Sequence, residues 1–146
     1  MIEILKMSLK DAEDIKEILT IEFDDFWNYN ILKQEIEKED TVYFVAKEDE
    51  KIVGFAGFWI APDDIEITNI VVRKNERKKG IGTLLFDKLI KEAENTGKQE
   101  IFLEVNENNI FAINLYKKFE FEEIWIRKKY YNGTENAIIM KKMIRW

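Results

Sequence analysis

The sequence has 146 residues, the length of one domain, and folding a chain of this size buries roughly 70% of its unfolded surface, enough for a core. It contains no cysteine and no histidine, which excludes disulfides, thiolate metal sites and the commonest general base. Any catalysis falls to carboxylates, tyrosine, lysine or backbone without a metal, and a net charge of −6 argues against nucleic acid as the partner.

In chain order, residues 2–7 read as a strand and 8–23 as a helix. Ser8 stands at its cap, and Ala12, Ile15, Ile18 and Leu19 recur at helical spacing. This start does not have the charged and apolar regions of a secretion signal, and no apolar run approaches the ~20 residues of a membrane span. A soluble cytoplasmic protein with no membrane partner is the expectation. A second helix is expected over 30–38, then strands over 41–49 and 51–61 joined by a polar turn, and a third strand over 63–73. From Gly82 to Thr96 the apolar residues Leu84, Leu85, Phe86, Leu89, Ile90 and Ala93 trace a helical stripe, and Gly97 stands where a glycine would stop it. Residues 98–106 return to strand, 109–119 to helix, and 121–131 with 135–144 flank Asn132-Gly133 as a closing hairpin. The order β α α β β β α β α β β predicts one α/β (α+β) domain over 1–146. Its sheet is mixed and mostly antiparallel, with a central βαβ unit and helices on both faces.

Arg77, Lys78 and Lys79 precede a helix start, where the positive end of the helix dipole makes each cation cost about 0.3–1 kcal/mol. An anion on the N–H groups of Lys79, Gly80, Ile81, Gly82 and Thr83 resolves this, and the glycines admit it to the main chain. The pattern is neither GxxxxGK[ST] nor GxGxxG, and a plain basic turn before an ordinary helix is the competing interpretation. The stretch "VVRKNERKKGIGTLLFDKLI" resembles the acetyl-CoA motif of the Gcn5-related N-acetyltransferases (GNAT), whose [QR]xxGx[GA] pattern is matched by Arg77, Gly80 and Gly82. "IFLEVNENNIFAINLYKKFEF" is similar to that family's second cofactor segment, except that Glu120 stands where the family usually has glycine. The resemblance covers most of the chain. It implies acetyl-CoA as cosubstrate, with the pantetheine arm on Ile70, Val71 and Val72, the pyrophosphate on residues 78–83, and a further contact from Asn109.

An amine attacks acetyl-CoA only when neutral, so the enzyme needs a route for its proton, and the departing thiolate benefits from a proton donor. Alternation puts Ile101, Leu103 and Val105 on one face of their strand and Phe102 with Glu104 on the other. A carboxylate near the covered end of such a strand is expected to be desolvated and hence more basic, which suits a general base. A solvent-facing Glu104 and a core Tyr116 are the plainer interpretations of the same pattern. The finer resemblance is to the RimI branch, which acetylates protein N-terminal α-amines, in bacteria the alanine of a small-subunit ribosomal protein. It implies Glu104 as base and Tyr116 as acid. Glu66 is a second candidate base, since some family members carry one on that strand.

The branch's aromatic "FPWS" segment is partly matched by "DDFWNYN", where Asn28 replaces the serine. Negative charge beside flat apolar surface in Asp24, Asp25, Phe26, Trp27 and Tyr29 suits a cationic peptide end, with Tyr130 and Tyr131 as a further wall; core packing of Phe26 and Trp27 is the alternative. A small-amine acetyltransferase, for a polyamine or aminoglycoside, and a non-catalytic acyl-CoA-binding module remain competing functions.

Overall fold

The computed structural model describes residues 1–24, 27–131 and 133–144. The elements are β1 (Ile2–Lys6), α1 (Leu9–Asp14), a π-helical turn (Leu19–Phe23), α2 (Tyr29–Glu37), β2 (Thr41–Glu48), β3 (Lys51–Ile60) and β4 (Ile65–Val72). There follow a 3-10 turn (Lys74–Glu76), α3 (Ile81–Glu94), β5 (Glu100–Asn106), α4 (Ile110–Lys118), β6 (Glu122–Tyr131) and β7 (Glu135–Met143). The strand order is β1-β2-β3-β4-β5-β7-β6, with β4–β5 parallel and the β1–β2, β2–β3, β5–β7 and β6–β7 pairs antiparallel. This is the mixed, mostly antiparallel sheet with a βαβ crossover that the element order implies. Among the described residues, no helix is long and apolar enough to cross a membrane.

The chain forms two compact units, Met1–Ile60 with Thr68–Glu92, and Ala61–Ile67 with Ala93–Trp146. In the first, Ser8 and Asp11 make a capping box: the Asp11 N–H donates to Ser8 Oγ at 3.2 Å and the Ser8 N–H to Asp11 Oδ2 at 2.9 Å. The single helix expected over 8–23 is broken. After Asp14 the chain tightens, with the Lys16 N–H bonded to Glu13 O and the Ile18 N–H to Ile15 O, and then widens into the π-helical turn. Ile15, Ile18, Thr20 and Ile21 are β-branched and lower the helical preference of this stretch. Burial decides the path instead, because Ala12, Ile15, Leu19 and Phe23 all enter one core with Leu32, Tyr43, Val45, Ile52, Phe55 and Val71.

The second helix starts as an N-cap requires. The Asn28 side chain accepts the Ile31 N–H at 3.0 Å, doing the work of the serine it replaces. Across β2 and β3, Tyr43 faces Gly57, and a Cβ at 57 would collide with the Tyr43 ring. The buried Tyr43 hydroxyl lies 2.8 Å from Thr68 Oγ1. Helix α3 buries Ile81, Leu85, Phe86, Leu89 and Ile90, and a Cβ added at Gly54 of β3 would sit 3.0 Å from Leu85 Cδ1, so the glycine lets helix and strand approach. Leu84, placed in the apolar stripe by spacing, is exposed at the rim of that face.

In the second unit β7 lies between β5 and β6, pairing Glu104 with Ile139 on one side and Trp125 with Ile139 on the other. The β6–β7 ladder shifts register between Glu123 and Trp125 and again between Arg127 and Tyr131, which blunts the exposed β6 edge. The expected Asn132-Gly133 turn falls partly outside the described residues; Gly133 itself is left-handed at φ 70°. Helix α4 ends in a Schellman motif: the Phe121 N–H reaches Tyr116 O at 3.1 Å and the Glu120 N–H reaches Lys117 O at 2.9 Å. The motif demands a left-handed residue after the cap, and Glu120 supplies it at φ 70°. Phe121 then packs its ring 6.3 Å from that of Tyr116, the apolar contact that accompanies this cap.

The missing family glycine therefore has a backbone cost. Glu120→Gly is expected to raise stability by about 0.5–1 kcal/mol, because relief of left-handed strain exceeds the entropy of glycine. The lost 3.7 Å pair to Lys142 is exposed and contributes little. Thermal unfolding checks this: a melting temperature at or below that of the parent would show that Glu120 is not strained.

Candidate active site

The basic stretch is organised around an acid. Glu76, 6% exposed, receives Lys51 Nζ at 2.8 Å on one carboxylate oxygen and Lys79 Nζ at 2.9 Å on the other. The bonds from Lys51 and then Lys79 hold its pKa down at about 2. Arg77 is also engaged: its Nε donates to Val72 O at 3.0 Å and its other nitrogen to Phe23 O at 2.9 Å. Arg73 reaches Glu22 at 2.9 Å and Ile52 O at 3.1 Å. Two of the three cations before the helix thus carry out internal work, tying the turn to β3, to the end of β4 and to the π-helical turn. Lys78 stays exposed at φ 67°.

Gly80, left-handed at φ 82°, turns the chain into α3, and its carbonyl accepts the Leu84 N–H. The first N–H groups of a helix have no intrahelical acceptor, so Ile81, Gly82 and Thr83 present donors suited to an anion. A Cβ at Gly82 would meet only Val72 Cγ2, at 3.7 Å. Folding therefore does not require glycine at 82. The β4–β5 ladder covers Ile65↔Ile101 and Glu66↔Phe102, whereas β4 continues to Val72. The Ile70, Val71 and Val72 backbone assigned to the pantetheine arm lies beyond the end of that ladder.

In the second unit, Glu104 is on the outward face of β5 as alternation predicts, but it is not desolvated: its side chain is 32% exposed, and Oε1 lies 3.3 Å from the Arg127 guanidinium. The covered carboxylate expected there is instead an ion-paired one. Glu66 has its pKa raised, first by burial and then by the charges of Asp64 and Glu104, so the two candidate bases sense each other. Tyr116 is buried on α4, its ring against Phe121 and its carbonyl in the Schellman motif, so both ends of the residue are fixed. Asn109 caps α4, its Oδ1 accepting the Ala112 N–H at 3.1 Å, which leaves the amide Nδ2 as the group to offer a ligand.

Of the acceptor loop, Asp25 and Phe26 lie outside the described residues, as does the side chain of Tyr131. Asp24 follows the π-helical turn, and Trp27 is half-buried, its ring 6.2 Å from that of Tyr43. Trp27 thus packs against the core while staying partly exposed. Sequence reasoning missed Arg127, whose position on a strand gave no sign of a partner two strands away. It also missed Glu76, although a single acid inside "NERKKG" is a readable sign of a charge clamp.

Two outcomes follow. Gly82→Ala is expected to leave the fold as stable or more so, since alanine exceeds glycine in a helix by about 1 kcal/mol, while weakening acetyl-CoA binding at least several-fold. Calorimetric titration beside thermal unfolding separates the two effects, and unchanged affinity would reduce the motif to a plain basic turn. Glu76 has a depressed pKa, so its stabilisation is present above its ordinary value of 4.5 and lost as pH falls towards about 2. In urea unfolding, the deficit of Glu76→Gln relative to the parent is expected to be widest near neutrality and to shrink between pH 4.5 and 2; a constant deficit would contradict this.

The sequence matches the Acetyltransferase (GNAT) family over residues 9–121. It is 36% identical over 118 residues to the ribosomal protein bS18-alanine N-acetyltransferase of Haemophilus influenzae, covering 78% of this chain and 80% of that protein. An N-alpha-acetyltransferase of Sulfurisphaera tokodaii is 30% identical over 147 residues, covering 90% and 87%. The crystal structure of the ribosomal-protein-S18-alanine N-acetyltransferase from Escherichia coli superposes with a TM-score of 0.90 at 29% identity, covering 100% of this chain and 96% of that one. The chain belongs to the GNAT family and is an acetyl-CoA-dependent N-acetyltransferase.

Proposed function

We propose that this protein, acting as a single acetyltransferase domain over 1–146, acetylates the N-terminal α-amine of a protein, in the manner of the enzymes that modify the N-terminal alanine of ribosomal protein bS18. The observation that carries this is the 36% identity, over 80% of its length, to a relative named for that acceptor. The chemistry favours the same acceptor. An α-amine has a pKa of about 8 against about 10.4 for lysine, so a far larger fraction is neutral at physiological pH and a modest base suffices.

In this reading acetyl-CoA lies on Ile70, Val71 and Val72, with its pyrophosphate on the N–H groups of residues 78–83 and Asn109 adding a contact; Arg77, Lys78 and Lys79 shape the electropositive rim. The acceptor is held by Asp24, Phe26, Trp27 and Tyr131. The amine nitrogen attacks the thioester carbonyl and loses its proton to Glu104, directly or through water. The C–N bond forms, the C–S bond breaks, and Tyr116 gives its phenolic proton to the thiolate. Glu66 is the second candidate for the base.

The test is a panel of peptides with free N-terminal alanine, serine or methionine, a blocked peptide with an internal lysine, and spermidine, each incubated with labelled acetyl-CoA. Label is expected on the alanine peptide and not on the lysine control. Glu104→Gln and Tyr116→Phe are each expected to lower kcat by about 10²-fold or more with acetyl-CoA binding retained. Transfer confined to spermidine would assign the protein to small amines instead.

A further inference from the structure

Strand periodicity puts residues three apart on opposite faces, so Arg127 and Tyr130 of β6 should point apart. They do not: the Arg127 guanidinium stands over the Tyr130 ring, 4.8 Å from its centroid. The cause is the register shift between Arg127 and Tyr131, in which Lys129 turns left-handed at φ 53°. The bulge is held from outside β6. The Lys129 N–H donates to Asn136 Oδ1 at 2.8 Å, and Asn136 is gripped by Glu107, whose carboxylate accepts the Asn136 N–H at 2.9 Å and its Nδ2 at 3.3 Å. Beside it, Glu135 accepts Asn106 Nδ2 at 3.0 Å and Asn108 Nδ2 at 2.8 Å. The loop that follows β5 therefore builds the bulge that aims Arg127.

What Arg127 is aimed at is Glu104. In the ladder, Glu104 pairs with Ile139 and Arg127 with Ala137, so the two side chains share a face and the arginine reaches back across β7 to its partner on β5. The contact is an ion pair, with Arg127 Nη1 3.3 Å from Glu104 Oε1. Both side chains are partly solvated, 48% and 32% exposed, and a pair of this kind adds little to folding stability. A bulge, a stacked ring and five asparagine or glutamate side chains are a large outlay of structure for so weak a contact, and they leave the carboxylate oriented.

We propose that Arg127 is a positioning residue for acetyl transfer: stacked on Tyr130 and ion-paired with Glu104, it fixes the carboxylate so that it meets the proton leaving the acceptor amine. This rests on Glu104 being the base. The proton passes from the attacking nitrogen to the Glu104 carboxylate as the C–N bond forms and the thioester C–S bond breaks, and Arg127 exchanges no proton. Removing it lets the carboxylate swing among rotamers and lowers the fraction of complexes aligned for transfer.

The experiment is a double-mutant cycle in steady-state acetyl transfer to a peptide with a free N-terminal alanine, using the parent, Arg127→Met, Glu104→Gln and the double variant, with Arg127→Lys as the conservative control. Melting temperature and acetyl-CoA affinity are measured for each. Arg127→Met is expected to lower kcat roughly 10-fold with the KM for acetyl-CoA and the melting temperature little changed. Arg127→Lys recovers part of the loss, and Arg127→Met has no further effect in the Glu104→Gln background. An unchanged kcat in Arg127→Met beside an impaired Glu104→Gln overturns this inference alone, as does an equal loss in both backgrounds. A fully active Glu104→Gln overturns the assignment of the base, and this proposal with it. If the methionine variant unfolds, the kcat of Arg127→Lys with and without Glu104→Gln decides by the same criterion.

Discussion

One buried carboxylate organises the turn before α3. Glu76 sits between the ammonium groups of Lys51 and Lys79 and keeps the turn before α3 in place although every neighbour in sequence from Arg77 to Lys79 carries a positive charge. Without it, three cations would face the positive end of a helix dipole with nothing to offset them. With it, Lys79 is neutralised and Arg77 is free to turn back onto the carbonyls of Val72 and Phe23. The same turn thus stabilises itself and secures the π-helical segment from which the acceptor loop departs. The helix N-terminus is left with its N–H groups presented to an anion, the arrangement a pyrophosphate needs.

The chemical half follows a different logic. Here β7 separates the two strands that matter, and Glu104 on β5 meets Arg127 on β6 only because β6 is irregular. An ideal strand would have turned the ring of Tyr130 away from the arginine. Tyr116 is fixed by other means, through the Schellman motif at the end of its helix and the Phe121 ring beside it. Base and acid candidates are therefore held by two separate devices, a cross-strand ion pair and a helix terminus, each within the second compact unit.

Most of the architecture was legible because it rests on periodicity and caps. The strands over 41–49, 51–61 and 98–106, the α3 stripe and the stop at Gly97 all depend on side chains within one element, and such signals survive without tertiary knowledge. The helix over 8–23 was misread because the spacing of Ala12, Ile15, Ile18 and Leu19 fits a continuous α-helix and a helix broken by a π-turn alike. Burial in the common core chose between them, and Arg77, 54 residues beyond Phe23 in sequence, claims the Phe23 carbonyl. The basic turn before α3 could be found from its cations and glycines, but not the division of labour among those cations. The ion pair of Glu104 with Arg127 was out of reach for the same reason: alternation gives the face of a strand, not what reaches across from two strands away.

The contact between Tyr43 and Gly57 also constrains how this sequence can vary. A Cβ at 57 and an aromatic ring at 43 occupy the same space, and the ring is held there by its hydroxyl bond to Thr68. The two positions form a linked pair, in which alanine becomes tolerable at 57 only after the ring at 43 has been lost. Loss of the ring first opens a void beneath Trp27 and leaves the Thr68 hydroxyl only its 3.3 Å bond to the Gly57 carbonyl. Each single step passes through a destabilised intermediate, so relatives should retain the pair intact or exchange both members together, and substitution at 57 is a historical record of what happened at 43.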